Sequence, residues 1–478
     1  MSSTETSSSN SDIEKPRANG IAAVDALTAS EEAIMKSYLR KVDVRIALFL
    51  CLGYIGVFSN RGALVFGKVD GMEKHLKLKG TQYNTLMALF YPTFLVFQIP
   101  LNFLCRKIGA RKHLPSMLLL AGTMSVGAMG ARNFQGMIAI RLLEGFAQAG
   151  FISSLYFTFG LWYPRRYLAP RLGFALSSGG FAGIIHNLVN LGFAKIHTNT
   201  PTYAWQYQYL FVGLFAILTG IYGAIVIRDY PDTASFLSDE ERELVGRIMS
   251  KNKLQASVDH KISGRQVVQG LTDWRLLAFM VLDFANNYAA SSAANWSPVI
   301  LKSIGYSTST TMALLLVPSG VGTAVTVASG LYIRKYGNIA LYQILFSVLS
   351  TVTVIIAVAG VHNNVARTVA VVLFPIFAAP ACLVGPTWLN VNMRGVDKSA
   401  ISNALAIIGT NFGVLANSYA YLNTDAPLYI KGNSSNFGVF AVAIIIALLL
   451  RLSYKRENRR FAEQEGQDGS EAGFSNVY

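Results

Sequence analysis

The sequence predicts an all-α membrane protein with twelve transmembrane helices in two pseudo-symmetric six-helix bundles. Three observations carry this. Of the 478 residues, 52% are hydrophobic and only 14% are charged, whereas soluble domains carry about 25% charged residues. The apolar residues fall into runs separated by short polar joints, each run near the ~20 residues that a membrane-crossing helix needs. A basic turn also recurs, as Arg106-Lys107-Ile108-Gly109 and Arg334-Lys335-Tyr336-Gly337, 228 residues apart, the placement expected of two related halves.

Taken in order, residues 1–43 open Ser/Thr-rich with no apolar core segment, which reads as a disordered cytosolic tail and not as a cleaved signal peptide. Apolar windows then place spans at 44–65, 83–105, 114–131, 135–158, 172–194 and 207–227, the first bundle covering 44–227. The joint 228–273 is the one long polar interruption. In it Ser238 and Glu241 stand at the spacing of a capping box, predicting a short surface helix. The second bundle, 274–454, holds spans at 276–300, 311–333, 340–360, 367–390, 401–422 and 436–454, and 455–478 reads as a second cytosolic tail.

Net charge is +15, but the basic residues cluster in joints, where they set topology and contact lipid head groups instead of nucleic acid. Arg106, Lys107, Arg111 and Lys112 follow span two, Arg165, Arg166 and Arg171 follow span four, and Arg334 and Lys335 follow span eight. Both termini are therefore expected in the cytosol, although the first outer joint, with Lys68, Lys74, Lys77 and Lys79, runs against the rule. The sequon Asn433-Ser434-Ser435 falls in the last outer joint, where glycosylation is topologically possible. Cys51, Cys105 and Cys382 lie inside apolar runs and read as packing residues. No GxxxxGK, GxSxG or HExxH motif is present, so an ATP-driven or hydrolytic enzyme has no sequence basis, and neither a cofactor nor a metal is expected.

A series of short motifs is more specific. Arg40-Lys41-Val42-Asp43 opens span one and Asn60-Arg61-Gly62-Ala63 lies at its outer end. Gln82-Tyr83-Asn84, Ile99-Pro100-Leu101-Asn102 and Gly109-Ala110-Arg111 frame span two, and Arg141-Leu142-Leu143-Glu144-Gly145 and Trp162-Tyr163 belong to span four. Trp388 with Asn390, Ala426-Pro427-Leu428-Tyr429 and Arg456-Glu457-Asn458 follow. In this order they resemble the major facilitator superfamily, and within it the fungal anion:cation symporter group of allantoate, nicotinate, pantothenate and biotin permeases. The resemblance implies a twelve-helix transporter with a central cavity between its bundles, working as a monomer in a fungal plasma membrane. It also implies a gate at the inner end, with Arg106, Lys107, Arg111, Arg334 and Lys335 pairing between helices. The usual Asp is missing before Arg106, so a weakened latch is expected, with Cys105 as an accessibility reporter.

The departures from the family pattern bear on chemistry. Proton-coupled members usually carry Asp before the arginine of span one and Glu seven residues after the arginine of span four; here these are Asn60 and Gln148. Both arginines, Arg61 and Arg141, remain. Guanidinium binds a carboxylate as a bidentate fork, so a small organic anion is the expected substrate, with Arg61, Arg141, Gln148, Asn286, Asn287, Trp388 and Asn390 as its candidate ligands and aromatic faces suited to a planar ring acid. The competing reading makes Arg141 and Glu144 an ion pair that only stabilises the bundle. A mid-membrane charge costs on the order of 2.5–3.5 kcal/mol, which makes Glu144 and Asp283, with His186, the candidates for proton coupling. Proton-coupled uptake leads; export or facilitated movement of an acidic metabolite is the alternative, prompted by the two amides. A nutrient sensor on the same fold would bind without flux.

Overall fold

A computed structural model describes residues 28–194, 203–256, 272–392 and 396–468. We number its long bundle helices α1 (Leu48–Val69), α2 (Gln82–Ile108, with a break at Leu89), α3 (Ala110–Met129), α4 (Phe134–Trp162), α5 (Arg165–Phe193), α6 (Ala204–Val226), α7 (Trp274–Ile304), α8 (Thr308–Tyr336), α9 (Ile339–Ala359), α10 (Asn364–Asn392), α11 (Val396–Asn417) and α12 (Ile430–Asp468). Nine stretches among the described residues are long and apolar enough to cross a membrane. α3, α7 and α11 fall short by that measure. α7 carries Asp283 and Asn286, buried inside the bundle, and half-buried Asn287.

Packing repeats with an offset of six. α1 lies against α5 and α6, and α7 against α11 and α12; α3 contacts α4 and α6 as α9 contacts α10 and α12; α2 pairs with α4 as α8 pairs with α10. The halves meet where α5 packs on α8, α1 on α7 and α2 on α11.

The two ends of the molecule differ. At the end bearing residues 71–81, one apolar cluster runs across both halves, joining Leu64, Phe66 and Tyr83 to Trp296, Tyr421 and Tyr429. At the opposite, linker end, the described residues form separate clusters, one in each half. The chain is thus closed at the 71–81 end and parted at the linker end.

Two extensions depart from the sequence reading. The expected tail 1–43 contains the helix Ala29–Val42, which continues through a π-helical turn, Asp43–Ala47, into α1. α12 also runs on to Asp468, through part of the tail expected from 455; at 1.5 Å per residue its 39 residues span about 58 Å, far beyond the ~30 Å apolar layer. The motif residues around Asp43 meet in space: Arg171 donates to both its carboxylate oxygens at 2.6 and 2.8 Å, and the Tyr163 hydroxyl donates to it at 2.7 Å. Gly109 turns the chain between α2 and α3 at φ +89°, and a Cβ there would collide with Asp229, whose carboxylate accepts the Arg111 N–H at 2.9 Å.

The linker helix Asp239–Ala256 begins with the capping box expected of Ser238 and Glu241. Glu241 also accepts Ser37 Oγ at 2.7 Å and Lys41 Nζ at 2.9 Å, clasping the N-terminal helix, and Arg247 pairs with Glu31. Burial alone would push the Glu241 carboxyl up, but the bonds from Lys41, Ser37 and the Ser238 N–H outweigh it and hold it below the usual carboxylate range. A carboxyl lowered in the folded state stabilises above its free value, near pH 4.3, and loses that contribution as pH falls through its folded value. Glu241→Ala should therefore cost about 1–3 kcal/mol of docking and remove its acid sensitivity, read as faster amide exchange over 29–42. Unchanged exchange would show that the apolar contacts of Met35, Tyr38 and Leu39 hold the helix alone.

Candidate functional site

Helix spacing brings Arg141, Glu144 and Gln148 onto one face of α4, and the packing of α1 and α3 against that face completes a polar chain. Arg61 Nε donates to Gln148 Oε1 at 3.1 Å, Gln148 Nε2 to Asn60 Oδ1 at 2.8 Å, and Asn60 Nδ2 to Glu144 Oε1 at 2.8 Å. Glu144 Oε2 accepts Arg141 Nη1 at 2.9 Å, and Ser125 bonds to both Asn60 and Glu144. Every link from Arg61 onward donates toward the single carboxylate. Such aligned chains polarise one another in a low-dielectric interior.

The two arginines end up unlike. Arg141 is 3% exposed; it is ion-paired with Glu144 and also donates Nε to the Leu86 carbonyl at 3.1 Å. Arg61 has no ion pair with any described residue, and Nε is its one hydrogen-bonding nitrogen. Its guanidinium lies over Phe90 at 4.8 Å, Phe58 at 5.2 Å and Phe94 at 5.5 Å. Arg141 lies 5.2 Å from the Phe90 centroid. Phe90 and Phe94 pack with Val414 and Leu415 of α11, so Arg61 stands at the seam between the halves with its terminal fork unused. With Glu144 cancelling Arg141, the site carries one net positive charge.

The remaining sequence candidates scatter. Asn286 belongs to a matching knot in the second half, linking α7, α9 and α10: it exchanges hydrogen bonds with Gln343 at 2.8 and 3.2 Å and caps the Ala381 carbonyl at 3.0 Å. Asn287 donates to the Asp283 carbonyl and to Thr410. Both amides are occupied in joining helices. Trp388, expected to face substrate, is instead fully buried against Phe279 and Tyr454, in the apolar cluster of the second half. Asn390 is exposed and accepts from Asn403 at 3.0 Å. His186 is held by Gln208 at 2.9 Å and pressed on Gly62 of α1. Asp283 is fully buried, with neither carboxylate oxygen hydrogen-bonded to a described residue.

Of the expected gate residues, Arg106, Lys107 and Arg111 form no ion pair among the described residues, and the Arg111 N–H donates to Asp229. Arg106 and Lys107 are exposed, Arg106 lying 5.1 Å from the Phe157 ring centroid, and Arg111 is also exposed. Lys335 is exposed, and the Arg334 side chain lies outside the described residues. Cys105 is fully buried even with the linker end parted, so it is no reporter of that gate. Asn433 sits in the first turns of α12, and its Oδ1 accepts the Tyr421 hydroxyl at 3.1 Å.

Sequence reasoning missed the closure at the 71–81 end. Lys68 Nζ lies 4.2 Å from the Tyr83 ring centroid and 4.9 Å from that of Trp296, with Asn423 Oδ1 at 3.0 Å and Glu73 Oε1 at 3.4 Å. Asn84 donates across the seam to the Ser418 and Tyr421 carbonyls at 2.7 and 2.9 Å. The motif Gln82-Tyr83-Asn84 was the available signal.

Comparison with known proteins agrees with this architecture. A family model described as Major Facilitator Superfamily matches residues 50–420. The major facilitator-type transporter hxnP of Emericella nidulans is 28% identical over 90% of this chain and 88% of its own length. The thiamine pathway transporter THI73 of Saccharomyces cerevisiae is 23% identical over 93% and 86%. Among solved structures, the inward open xylose transporter XylE from E. coli has a TM-score of 0.67 at 13% identity, covering 84% of this chain and 94% of that one. A D-xylose-proton symporter has a TM-score of 0.66 at 14% identity, covering 86% and 97%.

Proposed function

Because this chain belongs to the Major Facilitator Superfamily and is a multi-pass membrane transporter, we propose that it carries a small organic anion by alternating access, as a proton-coupled importer of the fungal anion:cation symporter kind. The observation that carries the reading is Arg61: a guanidinium at the seam of the halves, ringed by Phe58, Phe90 and Phe94 and without an acid partner among the described residues. A carboxylate about 4 Å away gains roughly 4 kcal/mol at an effective dielectric near 20, and the phenyl rings suit a planar acid such as a vitamin or nitrogen-source carboxylate. Arg141 and Glu144 serve as the pair that sets the site's shape. In the plasma membrane, with both termini cytosolic, the basic turns at Arg106 and Arg166 would face the cytosol together with the linker.

An anion entering against an inside-negative potential costs about 2.3 kcal/mol per 100 mV, and one accompanying proton cancels that cost. Export or facilitated movement is the second reading, favoured by the Asn60–Gln148 amide pair, which leaves no free carboxylate beside Arg61. Uptake of labelled nicotinate, pantothenate, biotin and allantoate by transporter-deficient yeast, at acidic and neutral pH with and without an uncoupler, separates the two. Uncoupler-sensitive accumulation at acidic pH is the expected result. A surface-exposed protein that accumulates none of the four would favour export.

A further inference from the structure

We propose that Asp283 is the proton-carrying site, in the second half on α7, separate from the arginine site in the first. The assignment rests on the reading of proton-coupled uptake. Of the three acid–base candidates, Glu144 is saturated as a carboxylate by Asn60, Ser125 and Arg141, and His186 is tied to Gln208. Asp283 alone is sealed with both oxygens unbonded.

Its surroundings are built to close on it. A Cβ at Gly385 of α10 would lie 2.5 Å from Asp283 Oδ1, so only glycine admits the carboxyl at this crossing. Pro380 and Pro386 bracket that stretch of α10; proline has no N–H, so the carbonyls four residues earlier lose their helical partners, and helices bend at such places. Asn286 caps the Ala381 carbonyl, and Cys382 Sγ donates to the Asn286 carbonyl at 3.2 Å. Cys382, on α10, is a titratable group beside this stretch, and its thiol is engaged by the Asn286 carbonyl. The side chains that bond in its vicinity from α9 and α11, Gln343 and Thr410, are neutral, and no ion pair among the described residues reaches its carboxylate.

Burying an unpaired carboxylate costs far more than burying a neutral carboxyl. Asp283 must therefore take a proton before α7 and α10 seal, and release it when α10 moves at its prolines and admits water, a step beyond the present arrangement, in which Asp283 stays buried although the linker end is parted. The O–H bond forms with a proton from water on the 71–81 side and breaks to water at the linker end. A site that exchanges its proton once per cycle couples the gradient to the conformational change.

The test compares wild type with Asp283→Asn in proteoliposomes containing the full chain, using whichever of the four labelled acids yeast accumulate. One proton per anion supports about tenfold accumulation per pH unit. D283N should lose that accumulation while exchanging labelled for unlabelled acid within about twofold of the wild-type rate. Accumulation by wild type and D283N alike overturns the assignment and leaves proton-coupled uptake standing; no accumulation by wild type removes both. A second measurement holds even if D283N fails to reach the membrane. Dicyclohexylcarbodiimide adds to carboxyl groups that hold a proton, so wild-type Asp283 should be labelled, less so as pH rises. An Asp283 peptide unlabelled at every pH overturns the proposal.

Discussion

Arg61→Ala is expected to raise the substrate concentration for half-maximal transport by about 30-fold to several thousandfold, the equivalent of the roughly 2–5 kcal/mol lost when one partner of a desolvated charge pair is truncated. The reason lies in the difference between the two arginines. Arg61 offers a terminal fork with no partner among the described residues, whereas Arg141 is ion-paired with Glu144. Arg61→Lys should fall between wild type and alanine, since a point charge keeps the Coulomb attraction but not the two parallel hydrogen bonds. Arg141→Ala should fail in another way. It leaves Glu144 buried without its cation, a loss of about 3–5 kcal/mol that appears as reduced folded protein in detergent before any change in apparent affinity. Titration of uptake against substrate, together with melting of the purified variants, separates these outcomes. If Arg61→Ala leaves the half-saturation point alone while a well-folded Arg141→Lys shifts it, the binding site lies at Arg141.

Much of this was legible in the residues. The window placing a span at 340–360 matches α9, Ile339–Ala359, and 83–105 falls within α2, because a membrane helix is specified by local apolarity. The helix before α1 was missed for its polar composition, yet Met35, Tyr38, Leu39 and Val42, its buried residues, stand at i, i+3, i+4 and i+7, the stripe of a docked helix. The spacing of Arg141 and Glu144 already held the sign that one arginine is paired. What no local pattern reveals is the long-range company of a residue. Trp388 looked like a ligand because its contacts with Phe279 and Tyr454 depend on three helices. The room beside Asp283 depends on a glycine far along the chain.

The closure at the 71–81 end is the extreme case, and it carries the other large effect. Lys68→Met should shift the protein toward states open at that end by about 2–3 kcal/mol, roughly 30- to 150-fold in population. Its ammonium contacts Tyr83 of its own half and Trp296 of the other, and bonds to Asn423 across the seam. Desolvated cation–π contacts contribute about 2 kcal/mol and hydrogen bonds to a charge about 1.5–3 kcal/mol, partly offset by the cost of desolvating lysine itself. Methionine keeps the length and apolar stem, so the loss reports on the charge. Spin labels at Lys74→Cys and Lys431→Cys, both exposed at the closed end, should move apart in the variant. An unchanged separation would mean that the edge-on contact of Tyr83 with Trp296 across the halves, 6.2 Å between centroids, holds the end shut without the cation. The same shift has a second readout, because a ligand that enters from the linker end binds only the state closed at 71–81. Its apparent affinity from that side must fall by the fraction of molecules that Lys68→Met withdraws from that state, with Arg61 and its ring of phenylalanines untouched.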